Sequence, residues 1–180
     1  IGSRPLSVAP GDLDGDGNID LAVSSYNTDS VYVLLGNGNG TFQAAGNYQT
    51  DSHPRSVAMG DVDGDGHVDL AVGSFTNSSV SVLLANGNGT FQSASNYGAG
   101  TQPFAITMAD LNADGNLDLA VANLSGSQSH VLFGDGNGTF QTAISLTTAS
   151  SNADILAGDM NGDGRIDLAV TNHIANTMGI

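Results

Sequence analysis

Sixteen oxygen-bearing side chains hold four fixed positions of one nine-residue string that occurs four times, 49 residues apart. The string first reads Asp12-Leu-Asp-Gly-Asp-Gly-Asn-Ile-Asp20 and returns at Asp61–Asp69, Asp110–Asp118 and Asp159–Asp167. Its first, third, fifth and ninth positions hold Asp12, Asp14, Asp16 and Asp20, then Asp61, Asp63, Asp65 and Asp69. The later copies hold Asp110, Asn112, Asp114 and Asp118, then Asp159, Asn161, Asp163 and Asp167. Carboxylate and amide oxygens crowded on a short loop are the ligand set of calcium, which takes roughly 6–8 oxygens. Asn18, His67, Asn116 and Arg165 stand at position seven, where the backbone carbonyl is expected to complete the set whatever the side chain. One Ca2+ per repeat, four in total, is the expectation.

The fixed residues between the ligands fit this reading. Position six is always glycine (Gly17, Gly66, Gly115 and Gly164), as a turn with unusual φ demands. Position eight is always aliphatic (Ile19, Val68, Leu117 and Ile166), which predicts a side chain turned back into its own unit. A plain Asx-turn needs one aspartate, not three or four at fixed spacing. An EF-hand needs a bidentate glutamate at position twelve, where Val23, Val72, Val121 and Val170 stand.

A fixed period means one supersecondary unit copied in tandem, each touching chiefly its neighbours. In the first copy Ser7–Gly11 leads into the acidic loop and Leu21–Ser24 leaves it. Val31–Leu35 is β-branched and aromatic, Gly36–Gly40 is an Asn-Gly turn cluster, and Thr41–Ala45 continues toward Tyr48. No stretch shows helical spacing. Four short antiparallel strands per unit is the size of one β-propeller blade, so the fold class is all-β. The blades are expected at residues 7–55, 56–104, 105–153 and 154–180, the last incomplete because Ile180 aligns with Val33. About three and a half blades fall below the usual ring of roughly 4–8. The array is therefore expected to be part of a larger propeller, or to close its ring as a homo-oligomer.

Charge narrows the partners. The net charge is -15, and all 18 acidic residues are aspartate, fourteen of them inside the four strings. Four divalent ions would leave about -7. Arg4, Arg55 and Arg165 are the only basic residues besides histidine, which argues against nucleic acid and anionic lipid as partners. No apolar run approaches the ~20 residues of a membrane span, so no membrane insertion is expected. Ile1–Pro5 lacks the charged and apolar regions of a secretory leader. There is no cysteine and hence no disulfide. Weak calcium loops fill where calcium is near millimolar, which points to an extracellular or cell-surface location.

Ser56-Val-Ala-Met-Gly-Asp-Val-Asp-Gly-Asp-Gly66 and Asp69-Leu-Ala-Val72 resemble the FG-GAP repeat of integrin α-type propellers. They are similar also to the bacterial VCBS-like repeats of adhesins, lectin-like propellers and polysaccharide-degrading enzymes. The resemblance covers essentially the whole chain. It implies that the acidic loop joins the first and second strands of a blade and binds calcium through the residues named above. The Phe-Gly and Gly-Ala-Pro signatures of the animal receptors are not intact: Ser24-Ser25 and Gly73-Ser74 stand where the latter falls. This favours the bacterial branch.

In such a blade the first-to-second and third-to-fourth connections share one face, leaving the other two opposite. The opposite face differs between copies, with Tyr26, Phe75, Leu124 and His173 at one position and Leu6, Arg55, Phe104 and Ala153 at another. Divergent loops on a rigid frame are where ligands are bound. Phe42, Phe91 and Phe140 recur in register and are expected in the core, and Tyr48 and Tyr97 in the core or between blades. His53, His67, His130 and His173 share no register, which argues against a metal or catalytic role. The Asn-Gly-Thr sequons at Asn39, Asn88 and Asn137 belong to the hairpin turn. Two functions follow: a non-catalytic adhesion module for glycan or protein, or the propeller scaffold of a polysaccharide lyase or hydrolase. Outside the loops the only acids are Asp29, Asp51, Asp135 and Asp154, and there is no Lys, Glu or Cys. That leaves little for paired-carboxylate chemistry and favours the first.

Overall fold

The computed structural model describes residues 2–173 and 177–179. They form four antiparallel sheets, each a meander in chain order. The first sheet holds β1 (Pro5–Gly11), β2 (Asp20–Ser25), β3 (Ser30–Gly36) and β4 (Phe42–Gln49). The second holds β5 (Pro54–Gly60), β6 (Asp69–Ser74), β7 (Ser79–Leu83) and β8 (Ser95–Gly98). The third holds β9 (Pro103–Ala109), β10 (Asp118–Asn123), β11 (Gln128–Leu132) and β12 (Ile144–Thr147). The fourth holds β13 (Asn152–Gly158), β14 (Asp167–Asn172) and β15 (Thr177–Gly179). The expected all-β propeller architecture is present. Ile180, aligned above with Val33, lies outside the described residues, and among the described residues one 3-10 turn at Tyr26–Thr28 breaks the all-strand pattern.

The cores lie between sheets, not within them. Leu70, Val72 and Leu83 of the second sheet pack against Ala22, Val31 and Val33 of the first. Leu119, Val121 and Leu132 of the third repeat the contact against Ala71, Val80 and Val82 of the second. The Asp-Leu-Ala-Val phrase explains this: leucine and valine face one neighbour, and the small alanine faces the other. β6 and β10 are accordingly buried along their whole length. Each fully buried leucine contributes roughly 1.5–3 kcal/mol.

Two sequence expectations need correction. Phe91 and Phe140 are buried, but Phe42 is 43% exposed. Phe91 packs edge-on against Tyr48 of the preceding sheet at 5.3 Å, and Phe140 against Tyr97 at 5.5 Å. No sheet precedes Phe42 among the described residues, so it has no tyrosine to meet. The position-eight aliphatics likewise turn onto the preceding sheet, not into their own: Leu117 covers Gly60, and Val68 joins the core shared with the first sheet. Ile19 is 58% exposed for the same reason as Phe42.

Candidate metal centre

Each acidic loop joins the first and second strands of its sheet and folds around its own carboxylates. Asp12 accepts from the Gly15 N–H through Oδ1 (2.8 Å) and from the Gly17 N–H through Oδ2 (3.0 Å). Asp61 takes Gly64 and Gly66 in the same way (2.7 and 2.9 Å), and Asp159 takes Gly162 and Gly164 (2.7 and 2.9 Å). The fifth-position carboxylate accepts the next-but-one amide, Asn18 at 2.7 Å and His67 at 2.8 Å. Gly17 and Gly66, at φ 85° and 87°, make the reversal that brings these acceptors together.

The ninth position does more than the sequence reading gave it. Asp20, Asp69 and Asp118 are fully buried. Asp20 Oδ2 accepts from Leu13 N–H and Oδ1 from Gly36 N–H, both at 2.7 Å, so one side chain ties the loop to the end of β3. Asp69 does this with Val62 (2.9 Å) and Ala85 (2.7 Å), and Asp118 with Leu111 (2.9 Å) and Gly134 (2.8 Å). Burial pushes the Asp69 carboxyl up to about 6, and it raises Asp118 as well. Asp14 and Asp63 are raised by desolvation first and then by their acidic neighbours. Asp16 and Asp114 are lowered, chiefly by the backbone amides of Asn18 and Asn116.

These residues fit a hard cation. Asp12, Asp14 and Asp20 each place a carboxylate oxygen within 4.8 Å of the others, as do Asp61, Asp63 and Asp65. Opposed ligands of an ion with bonds of about 2.3–2.6 Å stand at that separation. Among the described residues the third and fourth loops form no such three-carboxylate group. There Asn112 and Asn161 replace one acid, and their amides donate to Asp114 (2.9 Å) and Asp163 (3.3 Å). A bound Ca2+ would supply the positive charge that the crowded, partly desolvated carboxylates lack. At position seven, Asn18, His67 and Asn116 lay their side chains over Gly38, Gly87 and Gly136 of the Asn-Gly hairpin, leaving no room for a Cβ there.

The acidic loops and the Asn-Gly hairpins share one end of the sheets, and the hairpins brace the loops. Gly89 N–H donates to Leu13 O and Gly138 N–H to Val62 O, both at 3.1 Å, so each hairpin reaches the loop of the preceding sheet.

The opposite end carries a feature that the sequence reading missed. Arg4, His53, Gln102 and Ser151, one per repeat, all hold φ between 55° and 64°. Their carbonyls accept from Tyr26, Phe75, Leu124 and His173 N–H at 2.9–3.0 Å. The signal was available as a shared register of four unlike polar residues. The divergent positions are brought together here. Leu6, Arg55, Phe104 and Ala153, from the four first strands, line one cavity of about 220 Å3.

A model of the FG-GAP-like repeat matches residues 12–72, 61–121 and 110–170, and the chain belongs to that family. No curated protein matches it. Among solved structures it is similar to an Agrocybe aegerita lectin that recognises non-reducing terminal N-acetylglucosamine, at 26% identity and a TM-score of 0.54. That match covers 78% of this chain and 38% of the lectin. BBS1N, solved in complex with ARL6DN, is similar at 14% identity and a TM-score of 0.66, over 98% of this chain and 55% of that one. Kuenenia stuttgartiensis hydrazine synthase is similar at 17% identity and 0.61, over 98% and 48%. The chain thus spans between 38% and 55% of the length of these three. The last two show the fold alone.

Proposed function

We propose that the chain is a calcium-stabilised, extracellular or cell-surface binding module that engages a glycan or a protein through the end opposite its acidic loops. The carrying observation is the contrast between a uniform loop end and a divergent end where arginine and aromatic side chains meet across three sheets. Calcium is supported by the two carboxylate groups and the three buried ninth-position aspartates, and the proposal extends one ion to each of the four loops because the string repeats. The glycan reading is supported by the likeness to the N-acetylglucosamine-specific lectin.

A non-catalytic role is supported by the use made of the remaining acids. Asp29 accepts from His53 N–H at 2.8 Å, Asp51 from Ser79 Oγ at 2.7 Å, and Asp135 from Thr139 Oγ1 at 2.9 Å. Each of these three holds a turn, while Asp154 accepts from Ile155 N–H at 3.0 Å and lines the cavity beside Arg55. Further blades, or a second copy of the chain, would cover the apolar side chains left open on the outer sheets, among them Val8 (58% exposed) and Leu156 (63%).

The test is a glycan array probed with the calcium-loaded protein and repeated in chelator. Calcium-dependent capture of defined saccharides is expected. Turnover of a polysaccharide by this segment would overturn the non-catalytic reading and favour the scaffold of a lyase or hydrolase.

A further inference from the structure

The two arginines at the divergent end stand on aromatic rings. Arg4 Cζ lies 4.4 Å from the Tyr26 ring centre. Tyr26 stacks on the His53 ring at 4.4 Å and 28°, and it meets Phe75 at 6.4 Å. Arg55 lies 5.9 Å from Phe75 and 3.4 Å from Phe104. Six side chains from three sheets make one continuous ladder of two cations and four rings.

Among the described residues neither guanidinium pairs with a carboxylate, in a protein with 18 aspartates and three arginines. The Arg55 pKa is lowered chiefly by burial, and the like-charged Arg4 acts on it in the same direction. The aspartates at this end are turned to other donors: Asp29 to His53 N–H, Asp51 to Ser79 and Asn77, and Asp154 to Ile155 N–H. The half-buried Arg55 and the exposed Arg4, neither of them in an ion pair among the described residues although Asp154 also lines the Arg55 cavity, form an anion site by composition. Stacking fixes the guanidinium plane and leaves its edge donors free for a bidentate carboxylate.

We infer that this ladder binds the carboxylates of an acidic, uronate-type saccharide. The inference rests on the glycan reading above and narrows its class. The loop charges do not forbid it, because seven-residue strands set the loops about 20 Å away. That is more than two Debye lengths of about 8 Å at physiological salt.

The test uses calcium-loaded protein and short oligosaccharides ending in glucuronic acid, with their methyl esters as uncharged twins, read by calorimetry. The acids are expected to bind, with at least about a tenfold loss on esterification and in Arg4→Gln. Arg4 is exposed, so that variant is expected to keep the parent melting temperature. Arg55→Lys is expected to lose most of the affinity although it keeps the charge, because the fork and the stack are gone. Esters and acids binding alike, unaffected by either substitution, would overturn the acidic class and leave the glycan reading intact. Binding of an acidic peptide but of no saccharide, with the same arginine dependence, would overturn both.

Discussion

The two ends of the same sheets differ in what repetition has done to them. At the loop end, side chains in register do the same thing copy after copy: Asp20, Asp69 and Asp118 each accept two backbone amides. At the far end only the backbone repeats. Arg4, His53, Gln102 and Ser151 share one strained conformation while their side chains have nothing in common. The lesson is that a repeat conserves whichever atoms hold neighbours together and leaves the others free. The loop end should therefore carry stability and the far end recognition.

The largest test of that division is removal of the metal. A site with a dissociation constant near 0.1 mM gains about 1.4 kcal/mol in 1 mM calcium, and four such sites a large share of a domain's marginal stability. Chelator is expected to lower the melting temperature by ten degrees or more on the order of the usual conversion, read by scanning calorimetry. An unchanged curve would remove the metal from the account.

Next in size is Phe91→Ala, expected to cost about 3–5 kcal/mol because it empties the contact with Tyr48. The same change at Phe42, half exposed, is expected to cost under about 1 kcal/mol. Denaturant midpoints of the two variants measure the difference. Equal costs would mean that burial between sheets is not what the recurring phenylalanine supplies.

Asp69→Ala strands the buried Val62 and Ala85 amides, a loss on the order of 3 kcal/mol that should persist in chelator. Asp65→Ala touches only an exposed amide and should weaken the protein with calcium present, chiefly in its own blade and its neighbours, but hardly without it. Comparing both variants in both buffers separates a ligand from a structural brace. The smallest effect is expected at the far end: Gln102→Gly relieves a left-handed residue and should change stability by at most about 1 kcal/mol, in the stabilising direction.

The repeat, the strand order and the acidic loops could be read from the chain because they are local and periodic. What escaped was everything that depends on the neighbouring sheet. Phe42 has the same sequence surroundings as Phe91, yet its burial is decided by a tyrosine one repeat upstream. Ile19 fails for the same reason. The double duty of Asp69 was hidden behind its membership of a ligand pattern, since a ligand and a staple use the same residue type. His67 looked free to vary, but its ring closes over Gly87. The left-handed positions share a register in the chain, but Arg, Gln and Ser among them are not residues one associates with positive φ.

The bonds from Gly89 to Leu13 and from Gly138 to Val62 run one way along the chain, each hairpin reaching back to the unit before it. Ordering one acidic loop thus gives a firmer anchor to the unit that follows, and a well-seated follower in turn stiffens its predecessor. Were each loop to take up an ion, uptake along such a row would be coupled between neighbours and would proceed more steeply than independent equilibria.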